Sequence, residues 1–492
     1  MIKANGLFWA GRQKRGFGRL VVHLDRKGGA IEWSIKAEHI EPIKGVGTLI
    51  RGLKAGKVLN RLWQFEELNL RDERVLTYPR AREGDIGLVT PLFFIQHHSN
   101  GPYTFVQSLD TEVRCKRFVV MRDDQGNLNL ELHHEEDARR FDTRIVTPVW
   151  RIGRCDDCRA IVRERMLLME RIWGLKPWEE RPDVPEWARH IALVVNLHGV
   201  HWTGYVFNTF DRQLEILRWL AQRIEGRYIL AYLPGWDGRY YYNYPLYEAD
   251  PDLGGSEGLK RLVNGAHSLG IHVVPMFGAI GGNTKYLRKL GLEDVIVQEM
   301  YGNRLLADWP TEWDNDRERD DIWVPCNPGH PKFRQYLFKR ICHTVDEYGV
   351  DGVFLDINHY WVNDPRYNIC EGMRNLAGKL HDRYERFLIF GEGWYDAMLG
   401  ITPLVHDHRL RLRQWPEFFQ RYARVTYHLS YPCPGRGSTG VHERGFSEFK
   451  VPDPNEDVIP TLGVVDDTLP SHREQVEKVI DAAFAFAKRK HL

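Results

Sequence analysis

An excess of charge of either sign is missing from this chain of 492 residues: 68 Lys and Arg stand against 67 Asp and Glu, a formal net charge of +1. So close a balance gives no broad basic or acidic field, and neither nucleic acid nor a membrane is an expected partner. Long apolar runs are missing too. The N-terminal MIKANGLFWAGRQKRGFGRL has no signal-peptide pattern and no later run reaches bilayer length, so a soluble, cytoplasmic protein is expected. Cysteine is sparse: seven residues, an odd number scattered through a large chain, do not make a disulfide framework. Cys155 and Cys158 form a lone CxxC without a second pair or two suitably spaced His, which points to a turn or helix start rather than a zinc site. GAIGGN, Gly278 to Asn283, lacks both the phosphate-loop lysine and the dinucleotide spacing, and reads as a flexible loop. No cofactor and no metal is expected.

What is present divides into two patterns. From Gly18 to about Trp150 short β-like runs (RLVVHL, AIEWSIKA, GLVTPLFFIQ, TFVQSL, KRFVVMR, LNLELHH, RIVTPVW) alternate with turns such as SNGP and DDQGN. That pattern predicts an antiparallel β-sandwich over residues 1–155. A helical stretch and a Pro-rich segment over 156–188 read as a connecting helix and linker. From Ile191 strand-like and helical segments alternate, which predicts parallel βαβ units and an α/β fold, a (β/α)8 TIM barrel over 189–492. Seven strands are clear: IALVVNL, YILAYL, IHVVPMF, DGVFLDI, FLIFGE, ARVTYHLSY and IPTLGVV; the eighth is sought within GITPLVHD. A long insertion at about 278–327 is expected to shape a cleft at the barrel mouth.

Two of these strands end in a carboxylate. Val353, Phe354 and Leu355 lead to Asp356, and Phe387 to Phe390 lead through Gly391 to Glu392. Apolar runs of this kind are parallel strands buried on both faces, and strand tips are where barrels mount catalytic groups. One strand-end acid is as easily a helix cap or an ion-paired residue. The second changes the reading, because the interval between them is the length of one helix plus one strand, which puts both acids on neighbouring tips facing one sugar. A pair of that kind performs glycosidic-bond chemistry, and Tyr360, Trp361, Trp394 and Tyr395 nearby offer faces for sugar rings. Further substrate contacts are expected at the other tips: His198 and Trp202 after the first strand, Trp236, Asp237 and Tyr241 after the second, and Asn358 and His359 beside Asp356. Asp466, after IPTLGVV, offers a third carboxylate to favour charge on the ring, with a solvated turn acid as the equal alternative. The triplet His406, Asp407, His408 reads as a catalytic or surface polar loop rather than a metal site.

With these motifs the chain resembles barrel glycoside hydrolases related to the α-amylase superfamily, in particular the endo-α-N-acetylgalactosaminidase-like barrels. The resemblance covers roughly Ile191 to the C-terminus and implies that Asp356, at strand four, is the nucleophile and Glu392, at strand five, the acid/base of a retaining α-glycosidase. An oligosaccharide or glycoconjugate is the implied substrate. Two departures argue against starch hydrolysis: Phe354 stands where such enzymes carry Arg, and the late Asn-His-Asp signature is absent. Asp356-Ile357-Asn358 also satisfies the Asp-x-Asn pattern of α-galactosidase-like barrels, in which the acid comes from strand six, sought here near Arg424 to Tyr431 or at Asp466. A transglycosylase and a non-catalytic carbohydrate-binding barrel are the remaining alternatives.

Overall fold

The computed structural model describes the chain except residues 1, 5–6, 9–14, 17, 61–62, 80–86, 202–203, 240, 306–322, 394, 408–419, 429–452 and 454–455. Two antiparallel sheets occupy its N-terminal part. The larger runs Ile2–Ala4, Gly18–Lys27, Ala30–Ile43, Trp150–Cys155, Tyr103–Ser108, Leu92–Gln96, Lys57–Leu59, Phe65–Glu66 in spatial order, with Asp142–Val146 also paired to Ala30–Ile43. Gly45–Leu53, Leu128–Glu135, Lys116–Arg122 and Glu73–Tyr78 form the smaller. Along Leu128–Glu135 buried and half-buried residues alternate, the period of two that a strand with one face on a core requires. The sheets meet through Phe118, whose ring centroid lies 6.0 Å from that of Phe93 and 5.6 Å from that of Trp150.

Where the strands differ from expectation the cause is local. RIVTPVW is two strands, Asp142–Val146 and Trp150–Cys155, because Pro148 between them has no N–H to give a ladder. Gly45–Leu53 and Glu73–Tyr78 carry no clear signal in the sequence, one diluted by three glycines and the other opening on charged residues. Cys155 ends a strand and Cys158 begins the helix Cys158–Trp173, whose N–H groups are capped by Asp157.

The second half is a parallel barrel of eight strands: β1 (Leu193–Leu197), β2 (Ile229–Leu233), β3 (His272–Gly278), β4 (Gly352–Asp356), β5 (Leu388–Glu392), β6 (Leu404–Asp407), β7 (Arg424–Tyr427) and β8 (Thr461–Val464). All residues of β1, β2, β4 and β5 are buried, as continuous apolar runs require. Consecutive strands pair in order and β8 pairs with β1. The ring closes through a parallel bridge between Thr426 and Ile459, just before β8. The eighth strand does lie in GITPLVHD, as β6, so ARVTYHLSY supplies β7, one strand later than its expected place as strand six. His406 therefore belongs to a buried strand, not to a surface loop. No helix among the described residues is long and apolar enough to cross a membrane.

The β-rich part is locked onto the barrel close to β4 and β5. Arg165 of the first helix donates to Asp396, just beyond β5, at 3.0 Å, and Asp396 also accepts from Tyr78 (2.6 Å) and Thr90 (2.8 Å). Asn363, beyond β4, donates to Glu135 and accepts from the Ala138 N–H. Between β3 and β4, Gly281–Asn283 pairs with Trp323–Pro325, and Leu287, Val295, Val324 and Phe333 share a small core of their own.

Candidate active site

The carboxyls of Asp356 and Glu392 end neighbouring strands and lie within side-chain hydrogen-bonding reach of each other. Both are inward-facing for the same reason: Phe354 and Phe390, two residues earlier, point into the barrel, and the period of two returns the acids to that face. Phe354, Phe390, Tyr232 and His406 close the floor beneath them, with ring centroids 4.5–5.9 Å apart. Over this apolar floor Asp356 is 4 % exposed and Glu392 8 %. Burial, reinforced by the charge of Glu392, pushes the Asp356 carboxyl well above the usual carboxylate range.

The turn after β4 serves both acids. The Ile357 N–H donates to Glu392 Oε2 at 3.0 Å and is also in hydrogen-bonding position to Asp356. Ile357 does this at φ 55°, a left-handed conformation that costs a β-branched residue about 1–2 kcal/mol. Strain at this one residue aims a backbone donor at the carboxyl oxygens. His359 contacts the Glu392 carbonyl through Nδ1 at 2.7 Å. Two glycines leave room for the covering side chains. A Cβ on Gly278, which pairs with Asp356, would lie 2.2 Å from the Tyr244 ring, and one on Gly391 would lie 2.5 Å from Asn358 Nδ2. Tyr244 feels the Asp356 charge, and burial holds its hydroxyl protonated.

The structure thus gathers Asp356, Glu392, Asn358 and His359. Asn358 is buried, and its amide finds no hydrogen-bond partner among the described residues. Trp361 is buried beyond the same turn. Trp236 is fully buried, with its indole N–H donating to the Met276 carbonyl at 2.7 Å, so it builds the wall. Asp237 is also buried; burial first, and Asp250 next, push its carboxyl upward. Tyr241, at φ 71°, packs against Tyr244 and Trp323. His198 is buried edge-on to Phe207. Asp466 is only half-buried and accepts from the Tyr205 hydroxyl. Trp202 and Trp394 lie outside the described residues, as does His408.

Sequence reasoning misses His428, Tyr244 and Ile357. His428 directly follows β7, and its Nε2 lies 3.4 Å from Glu392 Oε1. Its signal is present, since a polar residue at the end of an apolar strand is what marks Asp356, but a strand counted as sixth is searched for an acid rather than an imidazole. Among the described residues no group of three His, Cys, Asp or Glu is arranged to hold a metal ion.

A closed parallel barrel bearing a carboxyl pair on adjacent tips has the architecture of barrel glycosidases, and solved structures of that class superpose on it. α-N-Acetylgalactosaminidase NagBb from Bifidobacterium bifidum matches with a TM-score of 0.63 at 12 % identity, over 99 % of this chain and 85 % of its own. The galactosidase domain of the α-galactosidase–sucrose kinase AgaSK matches at 0.56 and 13 %, over 100 % and 72 %. The GH36 α-galactosidase AgaA from Geobacillus stearothermophilus matches at 0.52 and 12 %, over 96 % and 69 %. In sequence, malto-oligosyltrehalose trehalohydrolase from Saccharolobus solfataricus is 24 % identical over 220 residues, 43 % of this chain. The match spans 34 % of that relative's length. No family model matches. The resemblance read from the residues around Asp356 and Glu392 is borne out by both kinds of comparison, at the level of the fold.

Proposed function

We propose that the protein is a retaining α-glycoside hydrolase acting on oligosaccharides or glycoconjugates, with Asp356 as nucleophile and Glu392 as acid/base. The observation that carries this reading is the placement of two buried, interacting carboxyls on neighbouring strand tips, over a floor of aromatic rings. An inverting enzyme separates its acids by about 6.5–9.5 Å to admit water, whereas a retaining pair stands about 5–5.5 Å apart. Acids close enough to interact through their side chains favour the shorter, retaining spacing. Asp356 attacks the anomeric carbon while Glu392 gives its proton to the leaving oxygen; Glu392 then takes a proton from water, whose oxygen displaces Asp356. The Ile357 N–H offsets charge on whichever carboxyl is ionised.

The names of the structural neighbours make α-galactosides and α-N-acetylgalactosaminides the first substrates to try. Six described cysteines are unpaired, which supports a reducing, cytoplasmic compartment. The test is a panel of aryl α- and β-glycosides with the product anomer read by NMR. Asp356→Asn and Glu392→Gln should each lower kcat/KM by roughly 10³-fold or more while remaining folded. Wild-type turnover in either folded variant removes its assignment.

One observation favours a second reading. β6 ends in Asp407, and β6 is the strand that supplies the acid in α-galactosidase-like barrels. Glu392 would then bind or position the substrate. Loss of the acid spares substrates with good leaving groups. If a dinitrophenyl glycoside rescues Asp407→Ala but not Glu392→Gln, the acid belongs to β6.

A further inference from the structure

The rear wall of the carboxyl pair is made of imidazoles. His428 and His406 are each 1 % exposed and stack on one another, with centroids 4.7 Å apart and planes inclined by 28°. His406 is wedged in turn by Phe390, Phe354 and Tyr232. This wedging fixes the plane of His428, and the ring presents Nε2 to Glu392 Oε1 at 3.4 Å. The two oxygens of Glu392 therefore meet different partners. Oε2 accepts a backbone N–H, which favours negative charge. Oε1 faces a ring nitrogen, which accepts or donates according to its tautomer.

We propose that His428 is a positioning residue for the proton of the carboxyl pair: with Nε2 unprotonated it accepts the hydrogen on Glu392 Oε1, keeping the single proton on Glu392 and leaving Asp356 ionised. This rests on the reading of Asp356 as nucleophile and Glu392 as acid/base. The opposite tautomer, with Nε2–H donating, stabilises the Glu392 carboxylate and sends the proton to Asp356. That arrangement has neither a nucleophile nor an acid. Asp356 is predisposed to take the proton, since burial and the neighbouring charge both oppose its ionisation. A hydrogen-bond acceptor on the far side of Glu392 counters that tendency. Among the described residues, the other titratable groups facing the pair are His359 on the turn after β4, His406 on β6, Tyr232 on β2, and Tyr244 and Tyr247 on the loop after β2. Through the cycle His428 keeps its own proton on Nδ1. Glu392 gives its proton to the leaving oxygen and regains one from water, so the count returns to its start.

The decisive measurement is carboxyl ¹³C NMR of the full-length protein near neutral pH, with the two signals assigned through Asp356→Asn and Glu392→Gln. In wild type the protonated carboxyl should be Glu392. In His428→Phe, which keeps the ring stack but removes the acceptor, it should be Asp356, and His428→Gln, whose amide oxygen accepts, should restore the wild-type pattern. On an aryl α-glycoside with a poor leaving group, His428→Phe should lose roughly tenfold or more in kcat and move at least one limb of the pH profile, with His428→Gln recovering most of the loss. An unmoved proton in folded His428→Phe overturns the proposal. If that variant does not fold, ¹⁵N shifts of wild-type His428 decide: a bare Nε2 supports the proposal and a protonated Nε2 overturns it. Because NMR needs no turnover, a wild-type protein without glycosidase activity would sink the functional reading while the proton assignment is still read.

Discussion

Asp356 joins the proposed chemistry to stability. Its carboxyl is held above the usual range by burial and by Glu392, so ionising it costs the fold stability. A group raised in this way contributes stability below its unfolded value of about 3.9, and that contribution is lost as pH rises through the folded value. At neutral to alkaline pH the fold must carry a charge in a desolvated pocket. Asp356→Asn keeps the shape and removes the charge. It should therefore melt above wild type by a few degrees at pH 8–9, with the difference shrinking towards pH 4, even as hydrolysis is lost. Differential scanning fluorimetry across that range checks it; a gap that is largest at pH 4 would contradict the linkage. At the same scale, Asp356 and Glu392 are legible because each ends a plainly apolar strand. The strained Ile357 is not, since nothing in an Ile between Asp and Asn announces a positive φ.

At the scale of elements, strand ends and their glycines set the geometry of the mouth. Gly391→Ala would drive a Cβ to 2.5 Å from Asn358 and 2.7 Å from the Thr402 methyl. We expect a loss of about 1–3 kcal/mol in urea unfolding, together with a fall in kcat, because relief of the clash moves the residue next to Glu392. The junction between the first helix and the turn after β5 is a second such element. Arg165 and Asp396 are 1 % and 0 % exposed, and Asp396→Ala would leave a buried guanidinium without its counter-charge. That change should cost about 3–5 kcal/mol. Arg71 and Asp124 also pair, but at 81 % and 69 % exposure, and Asp124→Ala should cost under about 1 kcal/mol. Equal destabilisation by the two substitutions, measured by denaturant titration, would refute this ranking.

At the scale of the whole molecule, the barrel depends on the helix that comes after its last strand. This helix, Arg473–Lys490, buries Val476, Val479, Ile480, Ala483 and Phe486. Each large apolar side chain among them contributes about 1.5–3 kcal/mol on burial, so a chain ending at His472 should lose several kcal/mol. It should be cut rapidly by protease within the barrel half. Resistance equal to that of the full chain would show that the ring holds without its terminal helix.

The sequence by itself determined the alternation of parallel strands and helices, the two acids on adjacent tips and the β-rich character of the first part. These are properties of local periodicity and of which residue ends an apolar run, and they survive any choice of tertiary arrangement. Only the tertiary structure decided that GITPLVHD is β6, that Trp236 faces the core, that Asp466 pairs with Tyr205, and that His428 stands behind Glu392. Each of these depends on residues far apart in the chain meeting across a closed ring. Glu392 and His428 meet because β5, β6 and β7 lie side by side, each inward-facing position set by the register of its neighbour, and no short-range pattern carries that information.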